Sequence, residues 1–171
     1  MTPECPRPLR VDAIPPTGLT IDVVAGPAEC AAIAARLGVP AVHALSGHFE
    51  LHPEPGGAIH ARGRFTARLD RTCVVSLEDF ATTQRESFAV RFVPAGQESE
   101  DVDPESDDEI PYAGGSIDLG EALVEQVALD LDPYPRKPGA RLPAGDTAAA
   151  SPFAALAALR ATPPEGEAEE E

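Results

Sequence analysis

The stretch AIHARGRFTARLD, residues 58–70, alternates apolar and polar side chains along its length. Ile59, Ala61, Phe65, Ala67 and Leu69 fall on one side of an extended chain, and His60, Arg62, Arg64, Thr66 and Arg68 on the other. A period of two marks a half-buried strand, because successive side chains point to opposite faces. The stretch therefore predicts a sheet with one apolar face and one basic face.

Working outward, VHALSGHFELH (42–52) has the same period, with Leu45, Phe49 and Leu51 against Ser46, His48, Glu50 and His52. PEPGG (53–57) supplies turn residues between the two runs, which completes a hairpin. SFAVRFV (87–93) repeats the pattern through Phe88, Val90 and Phe92, so at least three strands form an antiparallel sheet. Upstream, PAECAAIAARLG reads as a helix over 27–37, with Pro27 in its first turn and Gly38 just past its end. Cys30, Ile33 and Leu37 share its inward face, which makes Cys30 a buried, inert thiol. Downstream, IDLGEALVEQVALDLDPYP encodes an amphipathic helix capped by Asp118, with Leu119, Leu123 and Val127 at intervals of four and Pro133 beyond its end.

The fold expected is α+β: an antiparallel sheet over about 41–93 covered by the helices at 27–37 and 118–131. The alternation leaves open whether the sheet curls into a partial barrel. Along the chain this divides into an arm, helix and sheet (1–95), an acidic disordered insert (96–113), the amphipathic helix (114–135), a linker (136–150), a terminal helix (151–160) and an acidic disordered tail (161–171).

Charge supports that division. The formal net charge is −16, yet the acids cluster in ESEDVDPESDDE (98–109) and EGEAEEE (165–171). Outside those runs acids barely exceed bases, so the folded body is near neutral and the runs are expected to stay solvated. No run of about 18 apolar residues is present, and the first residues lack the apolar centre of a secretory signal. A cytoplasmic location follows as the expectation. Three scattered cysteines, Cys5, Cys30 and Cys73, suit reduced thiols rather than a disulfide framework.

Few motifs point to catalysis. There is no phosphate-cradling Gly-x-x-x-x-Gly-Lys loop, no dinucleotide fingerprint and no hydrolase signature, so a non-enzymatic role with no cofactor is expected. His48 and His52 share a strand face but stand about 13 Å apart, too far to share a zinc ion. The more informative feature is the arginine row: Arg62, Arg64 and Arg68 on one face, Arg71 at the strand's end and Arg91 on a neighbouring strand. Arginines about 7 Å apart along a strand can meet successive phosphates of an RNA backbone. The plain alternative is a solvated face whose arginines pair with Glu50 and Glu86.

SPFAALAALR (151–160) reads as a short helix, with Ser151 as its cap, Pro152 at its first position, and Phe153, Leu156 and Leu159 on one side. A helix this short is marginal alone in water, so it docks, either on its own domain or on a partner.

The ordered set LDRTCVVSLEDF, an acidic insert, GGSIDLGEALVEQVALDLDPYP and SPFAALAALR resembles the YceD family over roughly residues 60–160. The resemblance implies a role in accumulation of 23S ribosomal RNA of the large subunit, with ribosomal RNA or a large-subunit ribosomal protein as partner and neither membrane nor DNA involved. Cys73 resembles the first cysteine of the family's usual Cys-x-x-Cys, and Ser76 stands where the second would be. A hydroxyl is a poor zinc ligand, so no metal is assigned. Pro152, Phe153, Leu156 and Leu159 resemble the family's terminal Pro-Phe-x-x-Leu box, here a candidate docking motif. The resemblance carries over no catalytic residue. An alternative role is an interaction adaptor whose acidic segments hold a basic partner such as a ribosomal protein.

Overall fold

The computed structural model describes residues 3–99 and 107–141. In chain order the elements are β1 (Pro8–Arg10), β2 (Leu19–Val24), α1 (Pro27–Leu37), β3 (Ala41–Pro53), β4 (Ile59–Thr72), β5 (Asp79–Pro94), β6 (Asp108–Tyr112), β7 (Ser116–Asp118) and α2 (Leu119–Asp130). Strands β2 to β6 form one sheet in that spatial order, and β1 pairs with β7 in a second, two-stranded ribbon. Pairing is antiparallel from β2 to β5, while β6 lies parallel to β5. The sheet is mixed and open, with β2 and β6 at its edges, and is not a closed barrel.

The alternation of 58–70 is realised as expected. Ile59, Ala61, Phe65, Ala67 and Leu69 are all buried, while Arg62, Arg64 and Arg68 are exposed. One apolar face results, formed with Leu45, Phe49 and Leu51 of β3 and Val90 and Phe92 of β5. Both helices contribute to this core, α1 through Ile33 and α2 through Leu119, Leu123 and Val127. Among the described residues the opposite face carries no helix.

Two glycines within strands make the packing possible. Gly63 lies in register between Phe49 and Phe88, and a Cβ there would collide with the Phe88 ring. Its missing side chain lets the two rings meet edge to face, with centroids 5.3 Å apart at 71°, a geometry worth about 0.5–1.5 kcal/mol beyond the area buried. Gly47 on β3 accepts Leu123 of α2 in the same manner, since an added Cβ would lie 2.7 Å from Leu123 Cδ1.

The helix termini follow the sequence signals. Gly38 ends α1 in the left-handed region at φ 65°, where glycine meets no steric penalty. At α2, Asp118 Oδ1 accepts hydrogen bonds from the backbone N–H of Gly120 and Glu121, at 2.9 and 3.1 Å. Glu121 does not fold back on the cap; it pairs with Arg36 of α1 at 2.6 Å, and Arg36 also reaches Glu4 at 2.8 Å. That arginine ties both helices to the N-terminal arm.

Three expectations are corrected. The antiparallel sheet of 41–93 gains β2 at one edge and β6 at the other. Residues 108–112, assigned above to the disordered insert 96–113, form β6: Ile110 packs on the core and Tyr112 donates from its hydroxyl to the Gly57 carbonyl at 2.6 Å. An apolar Ile-Pro-Tyr triplet follows the acids, and an unpaired β5 edge is available to it. Finally, the unit assigned to 114–135 is helical only over 119–130, because residues 116–118 first pair with β1. Residues 100–106, the linker from 142, the terminal helix 151–160 and the tail 161–171 lie outside the described residues.

Candidate nucleic-acid interface

The helix-free face of the sheet is built from the even-numbered positions of β4 and the odd-numbered positions of β5. Cross-strand register sets out its rows. Thr20, Glu50, Arg62 and Ala89 form one; Asp22, His48, Arg64 and Ser87 the next; Val24, Ser46, Thr66 and Arg85 the third; Ala44, Arg68 and Thr83 the fourth. Each of the four successive rows carries one arginine. The side chains of Arg62, Arg64, Arg68 and Arg85 are exposed and make no hydrogen bond or ion pair with any described residue. Of the acids in these rows, Asp22 is held by a histidine, and Glu50 lies opposite Arg62. Asp22 accepts His48 Nδ1 at 2.6 Å, and Glu50 lies 3.8 Å from His48 Nε2. A shallow depression over this face is lined by His48, Glu50, Arg62, Arg64, Ser87 and Ala89.

Register removes one premise of the plain alternative. Glu86 sits opposite Phe65, on the apolar side of the sheet, and cannot neutralise the arginine row. Arg85 was missed in the sequence, although it completes the array by filling the row in which β4 presents Thr66. Its signal is parity across the β4–β5 hairpin, which becomes legible only once the turn length is known.

Two of the five candidate arginines leave the set. Arg71 has odd parity on β4, is only 9% exposed, and donates to the Asp132 carbonyl at 2.5 Å. Its guanidinium anchors the segment after α2. Arg91 does belong to the outer side, opposite His60, but its charge is already matched by Glu54 at 2.7 Å and Glu109 at 3.0 Å. Those carboxylates hold the guanidinium still more firmly charged than usual.

Cys73 and Ser76 occupy the turn between β4 and β5. Cys73 is fully buried, and its Sγ accepts backbone N–H groups from Val75 and Ser76, each at 3.4 Å. A hydrogen bond from the Ser76 side chain, followed by its backbone N–H, lowers the thiol to about 6. Ser76 thus acts as a donor to the sulfur. The turn is closed by the Cys73 N–H to the Glu78 carbonyl, and Val74 N–H donates to Pro135, so the segment after α2 is stitched to the turn. Among the described residues no three His, Cys, Asp or Glu side chains cluster as metal ligands. All three cysteines are free and buried. The terminal-box residues Pro152, Phe153, Leu156 and Leu159 fall outside the described residues.

Among the described residues no helix is long and apolar enough to cross a membrane. A family model described as large ribosomal RNA subunit accumulation protein YceD matches residues 61–160, more than half of the chain. No curated protein and no solved structure matches the chain. The matched segment includes β4 from Ala61 onward and all of β5, and therefore the four arginines of the outer rows.

Proposed function

The chain belongs to the YceD family, and from that premise we propose that it supports synthesis, processing or accumulation of 23S ribosomal RNA by contacting RNA directly, without catalysing a reaction. The observation that carries the reading is the row of four arginines that no described residue pairs with, on a sheet face that no described helix covers. A guanidinium presents a planar fork of donors that matches a phosphate, and phosphate contacts supply most of the affinity in protein–nucleic acid complexes. The acidic runs at 98–109 and 165–171 weaken nonspecific attraction to polyanions, which favours a selected RNA partner over bulk nucleic acid. The reading places the protein in the cytoplasm, with neither membrane nor DNA as partner.

Complementation tests it. Deleting the gene is expected to lower the ratio of large to small ribosomal subunits in a gradient profile. The wild-type chain restores the ratio, and a chain carrying Arg62→Glu, Arg64→Glu and Arg68→Glu does not. An unchanged ratio in the deletion strain would overturn the proposal.

A second reading, an adaptor whose acidic residues hold a basic partner such as a ribosomal protein, draws on the eight acids within 98–109. RNase treatment during affinity purification separates the two. Partners lost on RNase treatment favour direct RNA contact, and partners retained favour the adaptor.

A further inference from the structure

The chemistry of the arginine face discriminates among kinds of RNA, and this inference rests on the RNA reading above. Recognition of single-stranded RNA uses unstacked bases lying on aromatic rings, the arrangement of sheet-based single-strand binders. The phenylalanines of this sheet point the other way: Phe49, Phe65 and Phe92 are in the core, and Phe88 packs on Phe49 and Phe65. The rings on the outer face are histidines: His48 and His60 are held by Asp22 and Asp107, at 2.6 and 3.0 Å, while His52 is exposed in the row of His60 and Arg91, next to the four arginine rows. Among the described residues the four arginine rows carry no phenylalanine, tyrosine or tryptophan on this side.

What lies between the arginines is equally specific. Thr66 is in the row of Arg85, and Ser87 is in the row of Arg64. Their hydroxyls both donate and accept, as is needed to meet a ribose 2′-OH. The array extends over three two-residue steps, about 20 Å. A double-stranded RNA offers a wide, shallow minor groove edged by phosphates and lined with 2′-hydroxyls, and is read by shape rather than by base edges.

We propose that the outer face of β3, β4 and β5 binds the backbone of double-stranded, A-form RNA, with Arg62, Arg64, Arg85 and Arg68 on phosphates and Thr66 and Ser87 on 2′-hydroxyls. The complex depends steeply on salt and weakly on base sequence.

Fluorescence anisotropy with the full chain tests this, using a 16-bp RNA duplex, one of its strands alone and the DNA duplex of the same sequence, each across a salt series. The RNA duplex is expected to bind most tightly. Arg64→Ala and Arg85→Ala are each expected to reduce the slope of log affinity against log salt by about 1. Arg91→Ala leaves the slope unchanged, because Glu54 and Glu109 already match that charge. Melting curves confirm that each variant is folded; the Arg64 and Arg85 side chains are exposed and pair with no described residue, so their loss leaves stability nearly unaltered.

Preference for the single strand overturns the duplex assignment while leaving RNA contact intact. Equal affinity for the DNA duplex overturns the role of the hydroxyls. Unchanged slopes in Arg64→Ala and Arg85→Ala remove the face as the contact, and failure of both RNAs to bind overturns the RNA reading itself.

Discussion

Cys73 and Ser76 show how one thiol organises a turn. The turn is held by donors converging on that sulfur: the Ser76 side chain, the N–H groups of Ser76 and Val75, and the Lys137 backbone. These favour the thiolate, moving the group from its ordinary 9 to about 6. A group whose folded value is depressed stabilises the fold fully above its unfolded value, and that stabilisation fades as pH falls through the folded value. Between pH 9 and pH 6 the melting temperature of the wild-type chain is therefore expected to fall relative to Cys73→Ala. A melting-temperature difference that stays constant over this window would contradict it. Burial raises the other two thiols, Cys5 and Cys30, but both are present in each protein and cancel in the difference. The presence of a thiol at 73 was legible in the sequence; its environment was not, because the N–H groups around it come from turn geometry and from a segment about 60 residues away.

At the scale of elements, α2 was legible from its cap and its four-residue spacing, yet its seat was not. The first turn of the helix rests directly on the N-terminal arm, where a Cβ on Gly120 would collide with the Cys5 carbonyl. Leu119 N–H also donates to the Arg7 carbonyl at 3.1 Å, and Arg7 N–H donates to Asp118 at 2.9 Å. Backbone against backbone leaves no flexible side chain to move aside, so Gly120→Ala is expected to destabilise the protein by about 1–3 kcal/mol, read from urea denaturation midpoints. An unchanged midpoint would mean that the arm shifts freely. The arm itself reads as a proline-bounded tether, since β1 has only three residues and no detectable alternation. Its pairing with β7 is a contact between chain segments more than 100 residues apart, beyond the reach of local pattern.

For the whole molecule, the two faces of one sheet differ in kind: one builds the core and the other carries the arginine rows. The apolar face packs against α1 and α2, the basic face carries no helix among the described residues, and β6 protects an edge that would otherwise expose the backbone of β5. Ile110→Asp places a charge where β6 meets the core. It is expected to cost about 1–3 kcal/mol and to speed amide exchange along Val90–Val93, with RNA affinity preserved because the arginines lie on other rows. Exchange unchanged at those positions would show that β6 does not guard the edge. The sequence by itself determined the α+β class, both helices, the central hairpin and the orientation of Arg62, Arg64 and Arg68, because each follows from spacing within a dozen residues. Only the tertiary structure decided that Arg85 joins them, that Arg71 turns inward, that Glu86 faces the other side, and that residues 108–112 add a parallel strand. Those outcomes depend on register between strands, and register is set by packing and turn length across the molecule rather than by any one stretch of chain.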